Sequence, residues 1–346
     1  MATLKDIAQQ AGVSVSTVSR IINSPNDNFA RKETRDRVWA IIADTGYTPN
    51  QSARNLRLHT KPSGMQGQQT LTGILGRTRN LDDNPFFASV IRAVEQQALS
   101  LGYTLTVCYS VFDIGNPQLI QKIETVKTDG AIIVGRLHAK TYRFFEQHYK
   151  HKVYIGRNAI DANWDQRICD GYQATRTAMD HLLDLGHTRI AYLGETVREN
   201  RYLAFRNSLE ERGVPLDERL IVISSQDGRG GYTGAERLLQ CDELPTAVFC
   251  ASDSAAIAAI RRFSEAGIQI PSELSVIGMD DIELAQYVSP RLTTVHMPTV
   301  EMGTVAVRTL VDRVDGLHSI HRKILLPHRL VVRESTAAPA TPKAGV

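Results

Sequence analysis

Ser14, Ser16, Thr17, Ser19, Arg20 and Asn23 lie together in VSVSTVSRIINS, residues 13–24, interleaved with Val15, Val18, Ile21 and Ile22. Apolar residues at helical spacing bury one side of such a segment. The other side then offers short hydroxyls, one amide and one guanidinium. Those groups suit a phosphate backbone and the edge of a base, so the chemistry they offer is recognition of a nucleic-acid groove.

The neighbouring segments are suited to hold that face. LKDIAQQAG forms a helix with Leu4, Ile7, Ala8 and Ala11 inward, Gly12 permits a tight turn, and Val13 plugs the gap between two helices. Ser14 is a good N-cap for the second helix. Two short helices about a glycine turn make a helix-turn-helix, whose second helix enters the major groove. KETRDRVWAIIADTG supplies a third helix, with Val38, Ile41 and Ile42 as its core residues. YTPNQSARNLR (47–57) reads as a short helix from Pro49, with Ala53 and Leu56 on one side. Alone it is too short to be stable in water. It would fold when two copies pair on DNA, Leu56 wedging between base steps in the minor groove.

Charge agrees with this placement. The net charge is only +3, yet residues 1–60 hold 8 Lys and Arg against 5 Asp and Glu, and the rest holds 32 of each. All excess positive charge sits in one small module, as expected when that module alone meets phosphate.

The remaining chain is of another kind. LHTKPSGMQGQQ (58–69) is nearly free of apolar residues and reads as a linker. Beyond it, apolar runs such as TLTGILG, GAIIVG, KVYIGR, RIAYLG, AVFCAS and SVIGMD alternate with amphipathic helical stretches. Such alternation predicts parallel sheets covered on both faces. The units are too many for one compact sheet, so two doubly wound parallel-sheet lobes with a cleft between them are expected. The organisation is a helix-turn-helix domain over 1–57, its hinge helix near 49–57, a linker over 58–69, a two-lobed α/β core over 70–335 and a disordered tail over 336–346. With 42% hydrophobic residues and no apolar run of 18, nothing here spans a membrane. MATLKDIAQQAG lacks a signal core, so the expected location is the cytoplasm, at the nucleoid.

Catalytic patterns are missing. No GxGxxG follows the first strand, GRGGYTG (228–234) lacks the Lys-Ser/Thr of a phosphate loop, and there is no GxSxG serine. The pairs His148/His151 and His318/His321 have no accompanying ligand cluster and read as solvated surface. Cys108, Cys169, Cys241 and Cys250 read as buried reduced thiols. No enzyme activity, metal or cofactor is expected.

LKDIAQQAGVSVSTVSRIIN and TRDRVWAIIADTGYTPNQSARNLR resemble the DNA-binding module of the LacI/GalR family of bacterial repressors. NPFF (84–87), HLLDLGHTRIAYLG, PTAVFCASD, IPSELSVIGMDD and SPRLTTVHMP resemble that family's core, which is of periplasmic-binding-protein type. The resemblance implies a homodimer on near-palindromic double-stranded operator DNA, with a small effector in the interlobe cleft. Effector closure of the lobes would separate and melt the hinge helices, lowering operator affinity. It places Val15, Ser16 and Arg20 at base edges, and Ser14, Thr17, Ser19 and Asn23 at phosphates. Thr3 and Leu4 join the DNA face, while Asn50, Ala53 and Leu56 match the minor-groove hinge. NSPNDNFARKET is longer than the family's usual loop, with Phe29-Ala30 where Val-Ser is typical.

In the core, the resemblance assigns the effector to Phe86, Phe87, Arg201, Ser252, Asp253 and Asp280, with Arg157, Cys169, Asp170 and Gln226 as weaker candidates. An aromatic face stacks on sugar C–H groups while charged groups fix hydroxyls. Alternatively, Phe86 and Phe87 are core residues and Arg201 pairs with Glu195 or Glu199. The implied function is repression of a carbohydrate-utilisation operon. DDNPFFASVIRAVEQQALSLGYTLTVCYS is similar to the repressor of a β-galactosidase system within the family, which suggests a galactoside. The alternative is a global regulator of the same family whose co-regulator is a protein. An exported transport binding protein would lack residues 1–60. The tail has no leucine heptad to join dimers, so a dimer is expected rather than a tetramer.

Overall fold

In the computed structural model the described residues are all except 1–3, 24–29, 46–68, 79–80, 82–83, 114–115 and 341–346. The side chains of Leu4, Lys5, Ile22, Asn23, Ala43, Val107, Lys122, Ala139 and Lys140 also lie outside the description. Thr3, Asn50, Ala53 and Leu56, the hinge helix and most of the linker therefore fall outside it. The chain forms two compact units, Met1–Gly67 and Gln68–Val346.

The first unit contains α1 (Leu4–Ala11), α2 (Val15–Asn23) and α3 (Lys32–Thr45). Ile7, Ala8, Ala11, Val18, Ile21 and Val38 are buried together, with Val13, Ile41 and Ile42 packed against them. Gly12 turns the chain at φ +65°, a conformation glycine adopts without Cβ strain. Ser14 Oγ then accepts the Thr17 amide at 3.1 Å, capping α2 as its sequence predicts.

The second unit holds two six-stranded sheets. The first-lobe strands are β1 (Thr70–Leu75), β2 (Thr104–Ser110), β3 (Gly130–Val134), β4 (Lys152–Gly156), β5 (Asp165–Ile168) and β11 (Lys323–Leu325). Their order is β11-β5-β4-β3-β1-β2. The second-lobe strands are β6 (Ile190–Gly194), β7 (Ile221–Ile223), β8 (Ala247–Cys250), β9 (Ser275–Asp280), β10 (Thr293–His296) and β12 (Arg329–Val331). Their order is β12-β10-β9-β8-β6-β7, parallel except for the β10–β12 pair. Continuous burial along β1, β3, β4, β6, β8 and β9 fits sheets covered on both faces.

Helices α4 (Pro85–Ser100), α5 (Pro117–Thr125), α6 (Ala139–His148) and α11 (Thr299–Val314) belong with the first lobe. Helices α7 (Gly171–Asp184), α8 (Asn200–Glu211), α9 (Gly228–Leu238) and α10 (Asp253–Glu265) belong with the second. The chain thus passes between lobes after β5, after β10 and between β11 and β12. Two of these features were not legible in the sequence. DQRI was not recognised as β5, because Asp165, Gln166 and Arg167 break the apolar pattern although all three are buried. The run KILLPHRLVVRES splits into two strands that serve different sheets.

Three expectations need correction. The ordered chain continues past residue 335: the Ala337 carbonyl accepts from Ser275 Oγ at 3.0 Å and lies 2.8 Å from His187 Nε2. Cys108 is exposed on an edge strand and Cys241 half-buried, so only Cys169 and Cys250 are buried thiols; all four are free. His318 is not solvated, since its side chain is 3% exposed and sits 3.3 Å from the buried Asp165 carboxylate.

Tight glycines finish the first-lobe strands. A Cβ on Gly76 would stand 2.4 Å from the Gly135 carbonyl oxygen. Gly135 itself has φ +90°, and its Cβ would meet the Phe87 ring at 2.8 Å. Gly135→Ala should therefore destabilise the core by about 1–3 kcal/mol. Chemical denaturation checks this; an unchanged midpoint would show that the strand end relaxes freely.

Candidate functional site

The carboxyl ends of the parallel strands face a cleft between the lobes, where open α/β sheets place their ligands. A cavity of about 290 Å³ lies there. From the first lobe it is lined by Arg77, Asn84, Phe86, Phe87, Phe112, Arg136, Arg157 and Asn158, and from the second by Glu195, Glu199, Arg201, Ser225, Gln226 and Asp227, among others. Asn84 is there because it caps α4, accepting the Phe87 amide at 3.3 Å. Asp227 caps α9 through the Gly230 amide at 2.8 Å.

Of the ten effector residues expected from sequence, Phe86, Phe87, Arg157, Arg201 and Gln226 line this cavity. Arg201 is 3% exposed and lies between two acceptors. Its Nε and Nη2 donate to the two Glu199 oxygens at 2.8 Å each, and its Nη1 donates to the Ala251 carbonyl at 2.5 Å. A guanidinium has five N–H donors. Arg201 therefore pairs with Glu199 and still keeps donors for the cavity. Burial pushes the Glu199 carboxyl upward, but Arg201 and then Arg77 outweigh it and hold it down at about 2.

The other five stand off the cavity lining. Asp280, 6% exposed at φ +129°, bonds Arg157, which does line the cavity. Ser252 caps α10 at the Ala255 amide and donates to the Gln226 carbonyl at 2.6 Å. Asp253 is fully buried, accepting Thr294 Oγ1 at 2.5 Å and the Ile282 amide at 2.9 Å. Burial, and then repulsion from Asp280, pushes its carboxyl up to about 7. Asp170 caps α7 through the Tyr172 amide, and the Cys169 thiol packs 3.6 Å from the Met297 sulfur. These are positions that hold the cleft walls.

Sequence reasoning missed most of the charge in the cleft. Arg77 bonds Glu195 and lies 3.8 Å from Glu199, while Arg136 lies 3.9 Å from Glu195 and donates to the Arg198 carbonyl. Both arginines come from the first lobe and both carboxylates from the second, so these pairs tie the lobes together. A signal was present in the sequence: Gly-Arg follows three of the predicted strands, at 76–77, 135–136 and 156–157. The Phe86 face expected to stack on a sugar instead carries Arg157, whose Cζ lies 4.1 Å from the ring centroid. Phe112, half exposed at the cavity, is the aromatic that sequence reasoning overlooked.

Four buried polar atoms on this side of the cleft walls have no hydrogen-bond partner: Arg157 Nε, Asn158 Oδ1, Ser224 Oγ and Gln226 Nε2. Buried polar groups are normally satisfied, and three of these four atoms belong to residues that line the cavity, Arg157, Asn158 and Gln226. Among the described residues no group of His, Cys, Asp and Glu is arranged to hold a metal ion.

In the first unit, Ser14, Val15, Ser16 and Arg20 are exposed, Val15 by 44%, while Thr17 and Ser19 are half-buried. Ser14 Oγ lies 2.7 Å from Ser16 Oγ and 2.8 Å from Thr17 Oγ1. The polar face of α2 is thus a connected cluster of hydroxyls, backed by the buried Val18 and Ile21. No helix among the described residues is long and apolar enough to cross a membrane.

Glu199→Gln should destabilise the protein by about 3–5 kcal/mol at neutral pH, because it strands a buried guanidinium. The Glu199 carboxyl is depressed on folding. Its contribution is therefore complete above its ordinary value of 4.5 and is lost as pH falls through about 2. Denaturation of both proteins across acid pH should show the gap closing on acidification; a constant gap would mean that Glu199 acts by packing alone.

Residues 3–50 match the family model described as bacterial regulatory proteins, lacI family, and residues 179–336 match one described as periplasmic binding protein-like domain. The ribose operon repressor of Haemophilus influenzae is 33% identical, over 97% of this chain and 98% of its own length. The HTH-type transcriptional repressor PurR of Yersinia pestis is 32% identical over 97% of each. A solved lac repressor dimer, bound to operator and the anti-inducer ONPF, superposes with a TM-score of 0.68 at 25% identity, over 97% of this chain and 99% of that one.

Proposed function

The chain belongs to the lacI family of bacterial regulatory proteins, and within it we propose a dimeric operator-binding repressor controlled by a small polyhydroxylated effector in the interlobe cleft. The observation that carries the effector class is that two residues lining one cavity each hold an unpaired buried atom, the acceptor Oδ1 of Asn158 and the donor Nε2 of Gln226. A hydroxyl both donates and accepts, so a polyol offers a partner to either kind of atom with the same functional group. Leaving such atoms bare in a closed site costs about 1–3 kcal/mol each, which favours a ligand that pairs them.

The cavity of about 290 Å³ is at the small end for ligand sites. That suits a monosaccharide better than the galactoside suggested by the resemblance, and the ribose operon relative points the same way. The protein co-regulator alternative gains no support from a cleft with unpaired polar atoms at its walls. Regulation follows from linkage: a ligand that prefers one lobe arrangement shifts the operator equilibrium by its difference in affinity between the two states.

For the head, the exposed Ser14, Val15, Ser16 and Arg20 would face the groove. Val15 can touch a thymine methyl but can neither donate nor accept, so hydrogen-bond discrimination falls to Ser16 and Arg20, and a guanidinium can make the bidentate contact. The phosphate contacts would fall to Thr17, Ser19 and Asn23.

The test is a fluorescence-anisotropy titration of the full chain on its operator, with and without sugars first found by thermal shift. A monosaccharide should change operator affinity at least tenfold, and Asn158→Leu should abolish that response. Arg20→Ala should cost about 1–3 kcal/mol on operator and far less on random DNA. If sugars leave operator affinity unchanged while another protein alters it, the effector reading fails.

A further inference from the structure

Three adjacent strands of the first lobe end in the same dipeptide: Gly76-Arg77 after β1, Gly135-Arg136 after β3, and Gly156-Arg157 at the end of β4. The parallel register sets Leu75 opposite Val134 and Val134 opposite Ile155, so the three arginines leave the sheet in one row. All three line the same cavity. We infer that this row is an oxyanion subsite, and that the effector is a sugar carrying a phosphate or carboxylate group. The inference rests on the polyol reading above and adds the ligand's charge.

A neutral sugar finds its hydroxyl partners in Asn158 and Gln226 and has no use for three guanidinium groups on one floor. Guanidinium forks match the oxygens of carboxylates and phosphates, with geometry that an ammonium lacks. Their present partners differ in kind. Arg157 is held by Asp280, which is buried and fixed at the end of β9. Arg77 and Arg136 instead share Glu195, a carboxylate 36% exposed in the loop between β6 and α8. Two cations and one exchangeable anion make a site that a phosphate dianion compensates better than Glu195 does, and that a ligand carboxylate can fill in its place. Glu195 stands where the ligand oxyanion would sit and would be displaced by it. The unpartnered Arg157 Nε in the same row leaves a further donor waiting for an acceptor.

The order of exposure gives the ligand a direction. Side chains run from Glu195 at 36% and Arg136 at 29%, through Arg77 at 23%, to Glu199 at 2% and Arg201 at 3%. The anionic end of the ligand would therefore lie near the mouth, with its hydroxyls inward.

Calorimetric titration of the full chain would use ribose, ribose 5-phosphate and ribonate, and the same three forms of glucose. At least one anionic sugar should bind tenfold or more tightly than its neutral parent, with added NaCl narrowing the gap. Whether the phosphate or the carboxylate form wins names the oxyanion. Arg136→Gln should remove most of the preference, and Arg136→Lys should restore only part, since it returns the charge without the fork. A neutral parent that binds as tightly as its anionic forms overturns the inference and leaves the polyol reading standing. A preference that survives Arg136→Gln also overturns the inference. If no form binds, both readings fall.

Discussion

A buried charge must have a counter-charge, and in this cleft every deep guanidinium has one. Desolvating an ion costs several kcal/mol unless a partner and further hydrogen bonds compensate. Arg201 is compensated by Glu199, Arg157 by Asp280, and Arg77 with Arg136 by Glu195. Except for Arg201–Glu199, these pairs join side chains from opposite lobes. The cleft is therefore held by electrostatics that cross it, and any ligand that enters must replace or complement those pairs.

The strand ends make this arrangement possible. Gly76 and Gly135 bring two backbones within a distance no Cβ tolerates, which lets neighbouring arginines leave the sheet side by side. On the opposite wall, Asp280 and Asp281 both have positive φ at the turn after β9. Asp281 accepts from Arg333 at 2.6 Å and lies 2.9 Å from His296, so one turn ties β10 to the segment after β12. Chain passes between lobes directly follow β10 and precede β12. A ligand that altered the Arg157–Asp280 pair would therefore act on a turn beside these crossings, where a two-state element biased by both ligand and operator would need to lie.

Much of this was legible in the sequence, for physical reasons. Apolar strands alternating with amphipathic helices are a strong signal, and the head was readable because Ile7, Ala8, Ala11, Val18, Ile21 and Val38 keep helical spacing. Strand β5 was not, because Asp165 and Arg167 are buried by pairing with distant residues: Arg313 and His318 for one, Thr309 for the other. Pairing across more than 140 residues leaves no local trace. The same limit explains the site. Phe86, Phe87, Arg157, Arg201 and Gln226 line the cavity, while Asp253 and Asp280 bond side chains within the protein. Carboxylates at strand ends look alike in sequence whether they face a ligand or a neighbouring arginine.

The measurement that bears most directly on this account is the distance between the lobes in solution. Spin labels on one exposed site in each lobe, read by pulsed dipolar spectroscopy, give that distance as a distribution. The account predicts a short, narrow distribution for the unliganded protein and a broader, longer one for Glu195→Gln, which removes the carboxylate shared by Arg77 and Arg136. Identical distributions for the two proteins would contradict it, because the pairs of Glu195 with Arg77 and Arg136 would then contribute nothing to holding the lobes.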